Sequence, residues 1–193
     1  DEDRAAYYDR AVSRLGWCIK NFGGYQKKIM RDVFFEAFET YETGCAPVIQ
    51  ELARGVAPEQ QTQLLGRAAA AMLDELEAGW QKKGDMEDEK IVLAIFFVPM
   101  VRKQQLPISE EFVTILQKQW VERYPKSPFY LGDYESISGG FRKKFLGLCF
   151  ITTAVCQELG KPDDCEELTA FRAFRDGYLR SQPDGEALIR EYY

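Results

Sequence analysis

Histidine is absent from all 193 positions of this chain. Without an imidazole, the sequence cannot build a Ser-His-Asp triad, a Cys-His pair or a histidine-ligated metal site. A cysteine nucleophile would need another base, such as a carboxylate or a group of the substrate. The missing histidine therefore removes the commonest hydrolytic and metal-dependent mechanisms before any fold is considered.

A long apolar run and an excess of basic residues are also missing. The longest apolar segment, residues 91–101, is interrupted by Pro99, whereas a membrane-spanning helix needs about 20 apolar residues. The chain contains 31 acidic and 25 basic side chains, which give a formal net charge of −6. A net negative chain has little non-specific attraction to nucleic acid or to anionic membranes. We therefore expect no nucleic-acid partner and no membrane.

The cysteines and the N-terminus bear on the cellular compartment. Five cysteines are an odd number in a chain too long to be a disulfide miniprotein, and we interpret them as reduced thiols. The N-terminus has neither the basic nor the apolar region of a signal peptide. Both features predict a cytoplasmic protein. Because the sequence opens at Asp1 without Met, we also expect a fragment or processed form of a longer protein.

Apolar residues recur at three- and four-residue spacing through most of the chain, which predicts amphipathic helices and no strands. The predicted fold class is all-α: a multi-helix, bundle-like globular domain with a C-terminal helical hairpin. We assign residues 1–124 to a helical body, and residues 125–193 to a loop and a hairpin that packs on that body as one globular unit. Glycine and proline predict a break between two helices at residues 43–47 and an irregular region at residues 125–140.

The chain has more large aromatic rings than helix packing requires. We expect most of them to lie in the core, and some of the surplus to line a groove for a peptide or an apolar small molecule. The rings concerned are Phe34, Phe35, Phe38, Tyr41, Phe96, Phe97, Phe112, Trp120, Phe129, Tyr130, Phe145 and Phe150.

Metal-binding patterns are weak in this sequence. Cys149, Cys156 and Cys165 are spaced in a way that matches no usual zinc pattern, and no histidine can complete a site. The acidic residues 85–89 lack the alternating ligands and the glycine of a calcium loop. They suit the start of a helix, where negative charge is favourable. We predict no metal and no cofactor.

The C-terminal hairpin mixes polar groups into two apolar helices. Arg175 lies in a stripe of apolar residues, and Arg172 and Asp176 are four residues apart and can pair along the helix. Thr152 and Thr153, on the preceding helix, are natural partners for Arg175 or Asp176. We predict a structural Thr/Arg/Asp network that fixes the crossing of the two helices, and a network that grips a ligand is the alternative. The candidate ligand-binding residues are Cys149, Thr152, Thr153, Arg172, Arg175 and Asp176, and no catalytic residue is assigned.

The same region resembles a known motif, the CFI-box, which closes a diverse set of bacterial proteins. The resemblance covers about the last quarter of the chain and implies a bacterial protein without a defined activity, because the motif has no established function. Where family members often have an aromatic residue near position 156, this sequence has a thiol, and members usually continue beyond the paired tyrosines. The residues that carry the resemblance are Cys149-Phe150-Ile151, Thr152-Thr153-Ala154, Phe174-Arg175-Asp176, Tyr178-Leu179, Pro183 to Gly185 and Tyr192-Tyr193.

Two functions from different classes are consistent with the sequence. The first is a non-catalytic interaction or regulatory module of a larger bacterial protein, whose partner is another protein or the rest of a longer chain. The second is a small-molecule-binding or thiol-dependent enzyme domain that uses Cys149, Thr153, Arg175 and Asp176. We favour the first, because a cysteine with acidic neighbours and no histidine is poorly activated.

Overall fold

The computed structural model describes residues 2–142, and all regular structure in that range is helical. The all-α prediction is therefore confirmed for these residues. Short 3-10 turns occur at Tyr25–Lys27 and Pro58–Gln60, and a π-helical turn at Leu93–Phe97 joins α5 and α6 into one continuous helix. The α-helices are α1 (Glu2–Leu15), α2 (Trp17–Lys20), α3 (Arg31–Gly55), α4 (Gln61–Gly79), α5 (Lys83–Val92), α6 (Val98–Lys103), α7 (Ser109–Arg123) and α8 (Tyr134–Arg142).

The core is built from the apolar faces of the long helices. α1 packs along α3, and α4 packs against α7. Each large apolar side chain that is fully buried contributes about 1.5–3 kcal/mol relative to exposure, so packing rather than intrinsic helix propensity holds these elements together. The largest fully buried side chains include Trp120, Tyr41, Phe34, Phe38, Phe96, Phe97 and Phe112.

The backbones of α1 and α3 come into contact at Gly55. A methyl group added at Gly55 would lie 2.6 Å from the Cα of Tyr8 and closer still to its backbone nitrogen. Only glycine permits this approach, because any side chain would overlap the backbone of α1. The Tyr8 hydroxyl also donates a hydrogen bond of 2.8 Å to the Leu64 carbonyl. These contacts fix α1, and with it the chain that leads into α2.

The helix break predicted at residues 43–47 is wrong, because α3 runs without interruption through Gly44 and Pro47. Proline inside a helix removes one hydrogen bond and costs about 3 kcal/mol. On either side of it, Cys45, Ile49 and Leu52 are fully buried. Burial of this apolar face supplies more free energy than the proline costs.

The irregular region predicted at residues 125–140 is wrong in its second half, where α8 begins at Tyr134. The Asp133 carboxylate accepts a hydrogen bond of 2.8 Å from the backbone N–H of Ser136, which is the usual way a helix start is capped. Ile137 is buried, and α8 packs against α3 and α6. The cap and this buried side chain outweigh the helix-breaking tendency of the glycines.

Pro99 lies inside the continuous helix formed by α5 and α6. Its ring would collide with the carbonyl of Ile95 in a regular α-helix. The π-helical turn that contains Ile95 widens the backbone directly before the proline, as single π-helical turns inside α-helices do. Phe96 and Phe97 in this turn are fully buried.

The predicted C-terminal hairpin lies outside the described residues. Its packing on the helical body, and the division of the chain at residues 124 and 125, stay predictions.

Candidate functional site

The six residues predicted to bind a ligand all lie outside the described residues. The Thr/Arg/Asp network, its ligand-gripping alternative and the resemblance to the CFI-box therefore stay predictions. The six candidate residues are Cys149, Thr152, Thr153, Arg172, Arg175 and Asp176. The features that follow belong to residues 2–142.

A row of rings with a cation at each end lies where α1 leads into α2 and on towards α3. The row, here called the cation–aromatic ladder, consists of Arg14, Trp17, Phe22, Tyr25 and Lys28. From Arg14 to Lys28, successive separations between a cation and a ring centroid or between two centroids are 5.7, 5.6, 5.0 and 4.5 Å. The ring pairs are T-shaped, and all four distances are typical of aromatic or cation–π contacts.

The local backbone explains why these side chains line up. Gly16 separates α1 from α2, and an added side chain there would overlap the Glu75 carboxylate. Gly24 has a φ of +96°, a left-handed conformation that glycine adopts without strain. The Gln26 side chain accepts a hydrogen bond of 2.8 Å from the Gly24 N–H. The resulting turn brings Tyr25 back against the ring of Phe22.

The middle of the ladder is anchored in the core. Phe22 is only 8 % exposed, and its ring lies 4.7 Å from that of Tyr41, which is fully buried. Tyr25 lies 5.3 Å from the buried ring of Phe96. The two rings in the middle of the ladder therefore continue the packing of the core.

The ends of the ladder are open to solvent. Trp17 is 36 % exposed, and both Arg14 and Lys28 are exposed. Met30 and Val33, which follow closely along the chain, are 37 % and 42 % exposed. Single exposed apolar residues need no explanation, but tryptophan, tyrosine and arginine together are the residues most enriched at binding surfaces.

The ladder lies in a segment whose charge is opposite to that of the whole chain. Residues 10–31 contain six basic and no acidic residues, while the remaining 19 basic and 31 acidic residues give the rest of the chain a formal charge of −12. Arg10 pairs with Glu51 at 2.7 Å, and Lys27 is exposed. Our sequence predictions missed this segment, although its lack of acidic residues is visible in the sequence alone.

A cleft of about 190 Å³ adjoins the ladder between α2 and α5. Its walls include Lys20 on one side and Asp85, Asp88 and Glu89 on the other. Burial raises the pKa of Glu89, while the hydrogen bond that the Trp80 indole donates at 2.6 Å lowers it. Within residues 2–142, no group of three or more metal-binding side chains could hold a metal ion.

Two free thiols, Cys18 of α2 and Cys45 of α3, are buried in the core. The Tyr41 hydroxyl donates a hydrogen bond of 2.7 Å to the Cys18 carbonyl, and the Cys45 thiol lies 4.0 Å from the same oxygen. The hydrogen bond with the Cys45 thiol, together with burial, raises the pKa of Cys18 far above its ordinary value. Because the thiolate is the reactive form, Cys18 is poorly suited to nucleophilic attack.

Ser127 forms the only serine–lysine–glutamate cluster among the described hydrogen bonds. Its hydroxyl donates to Glu87 at 2.6 Å and accepts from Lys90 at 2.7 Å. Lys90 is also ion-paired with Glu87 at 2.5 Å. The Trp120 indole donates to the Ser127 carbonyl at 2.8 Å. The cluster therefore ties the loop after α7 to α5.

Comparisons with known proteins identify no relative of this chain. No protein-family model, curated protein or solved structure matches the chain. None of the helices described between residues 2 and 142 is long and apolar enough to cross a membrane.

Proposed function

We propose that this chain is a non-catalytic interaction module of a larger bacterial protein, and that it binds its partner through the cation–aromatic ladder. The observation that carries the proposal is the half-exposed indole of Trp17, held between the Arg14 cation and the ring of Phe22. A large ring that is already fixed in place loses little conformational entropy on binding. The bacterial origin rests on the resemblance of the C-terminal residues to the CFI-box.

Buried neighbours hold α2, the short helix that contains Trp17, against the core. Its neighbours Cys18 and Ile19 are fully buried, and the Tyr41 hydrogen bond holds the backbone of Cys18. A partner that contacts Trp17 therefore meets a preformed surface, which favours recognition without rearrangement of the module.

Site-specific photo-crosslinking in living cells tests this proposal. We expect benzoylphenylalanine at position 17 to form an adduct with one protein, and that protein to bind the purified module in solution. The matched control places the same crosslinker at Tyr130, which is 40 % exposed in the loop between α7 and α8. Equal adducts at both positions would contradict the proposal.

The alternative function, a small-molecule-binding or thiol-dependent domain centred on Cys149, Thr153, Arg175 and Asp176, stays a prediction. Alkylation of the native protein with iodoacetamide, followed by mass spectrometry of each cysteine, separates the two functions. We expect Cys18 and Cys45 to react slowly, because both are buried. Uniform slow labelling of all five thiols counts against the alternative, and one much faster cysteine among the other three would favour it.

A further inference from the structure

We infer that the ladder binds an acidic protein segment in which carboxylates flank an aromatic or aliphatic side chain. This inference rests on the proposed function and specifies the chemistry of the partner. In the bound state, the apolar side chain packs on Trp17, and the carboxylates pair with the cations at the two ends of the row.

The size of the ladder fits a short segment. Placed end to end, its four contacts span at most about 21 Å, a length that about six residues of extended chain cover. Cations occur at both ends of this length, and the accessible rings between them are Trp17 and the half-buried Tyr25, because Phe22 is buried. The complementary sequence is therefore acidic at its ends and apolar in its middle.

The charge distribution also favours a negative partner. Residues 10–31 have no acidic side chain, and Arg14, Lys27 and Lys28 are exposed. Arg10 and Lys20 are paired with Glu51 and Glu75 of other helices, so the attraction for a complementary charge comes from the exposed Arg14, Lys27 and Lys28. An acidic segment is therefore attracted to the ladder more strongly than to the rest of this negative chain.

A short peptide fits this surface better than a nucleic acid or an anionic membrane does. Duplex DNA carries one negative charge per about 1.7 Å of its axis, and a membrane presents an extended negative plane. Both would extend over the neighbouring cleft, whose wall contains Asp85, Asp88 and Glu89, and over a chain that is otherwise strongly acidic. A segment of about six residues instead matches the length of the ladder.

Selection from a displayed library of random twelve-residue peptides tests the inference on the full chain. We expect the recovered peptides to be rich in Asp and Glu around an aromatic or aliphatic residue, and to bind less tightly as salt is raised. We expect the double variant Lys27→Glu, Lys28→Glu to lower their affinity by about tenfold or more, because two attractions become repulsions.

The matched control is the double variant Lys118→Glu, Lys126→Glu, which makes the same change in net charge at two exposed lysines outside the ladder. An equal loss of affinity in both variants would overturn the inference, because net charge alone would then explain binding. Circular dichroism of both variants confirms that the helical fold is kept.

Other outcomes separate this inference from the proposed function. Neutral or basic peptides whose binding is lost in Trp17→Ala would overturn the acidic partner and leave the interaction module standing. If no recovered peptide depends on Trp17, both proposals fail. Tighter binding of duplex DNA or of phosphatidylglycerol vesicles than of any peptide would overturn the inference in favour of a phosphate-bearing ligand.

Discussion

Tyr41 shows how a single buried polar group stabilises the surface above it. Its hydroxyl is the donor to the Cys18 carbonyl, and we expect Tyr41→Phe to lower the free energy of unfolding by about 1–2 kcal/mol, because the carbonyl loses its main partner. Urea denaturation followed by circular dichroism measures the change. Tyr130→Phe, at an exposed tyrosine, is the control and should leave stability unchanged. Equal stability of both variants would contradict this role of Tyr41.

Glu89 gives a prediction for the pH dependence of stability. Burial raises its pKa in the folded protein, so the native state binds this proton more tightly than the unfolded state, and the carboxylate costs stability as pH rises through that pKa. We expect Glu89→Gln to be more stable than the wild type at pH 7, since the amide oxygen can still accept from Trp80. The difference should disappear as pH falls below about 4, where Glu89 becomes protonated in the unfolded state as well as in the folded state.

Thermal unfolding across this pH range checks the prediction for Glu89. Asp88→Asn removes a carboxylate from an exposed neighbour and serves as the control. A Glu89→Gln variant that is less stable than the wild type at pH 7 would show that the charge of Glu89 stabilises the fold.

At the level of single residues, the sequence predicted the acidic start of a helix but not the contacts between aromatic side chains. The acidic run at residues 85–89 was predicted to start a helix, and the Asp85 carboxylate accepts hydrogen bonds from the backbone N–H groups of Gln81 and Lys82 at 2.9 and 3.1 Å. These bonds lower the pKa of Asp85. The contact between the rings of Phe22 and Tyr25 was not predictable from helix periodicity, because it depends on the turn at Gly24.

Among the helices, the contact between α1 and α3 gives the sharpest test of packing. We expect Gly55→Ala to destabilise the protein by about 1–3 kcal/mol, because the new methyl group overlaps the backbone of Tyr8. Gly66→Ala is the matched control inside α4, where the new methyl group would meet only the Gln119 side chain, at 4.0 Å. Because alanine favours helix, Gly66→Ala should stabilise by about 0.5–1 kcal/mol. Urea denaturation of both variants measures these opposite shifts, and a neutral Gly55→Ala would contradict the close contact.

The sequence predicted the helices whose ends coincide with a change in the spacing of apolar residues. It missed the continuity of α3 and the existence of α8, both of which depend on tertiary packing. The spacing of apolar residues predicts a helix over residues 58–83, which corresponds to α4, and another over residues 86–105, which corresponds to the continuous helix of α5 and α6. The continuity of α3 through Pro47 and the existence of α8 depend on buried faces that only the tertiary structure reveals. Local breaker residues therefore gave the wrong boundaries where burial outweighed them.

At the scale of the whole molecule, two separate regions emerged as functional candidates. The sequence directed attention to polar groups in the C-terminal hairpin, which lies outside the described residues. The structure adds the cation–aromatic ladder, formed by residues that are close in sequence but line up only through the turn at Gly24. Most of the aromatic residues noted in the sequence were expected to lie in the core. Of the ten that fall within residues 2–142, eight are buried: Phe34, Phe38, Tyr41, Phe96, Phe97, Phe112, Trp120 and Phe129.

The charge distribution of the whole chain also shapes how a partner arrives. The exposed cations of residues 10–31 attract an approaching acidic partner, and such steering raises the association rate more than the final affinity. The ladder then supplies the short-range contacts that slow dissociation.

The dissociation constant of the partner that crosslinks at position 17, compared between the wild type and Trp17→Ala, tests the proposed binding surface most directly. Val121→Ala serves as the control, because Val121 is 37 % exposed on α7, outside the ladder. We predict that Trp17→Ala weakens binding by about tenfold or more while Val121→Ala leaves it unchanged. Equal dissociation constants for all three proteins would contradict the assignment of the ladder as the binding surface.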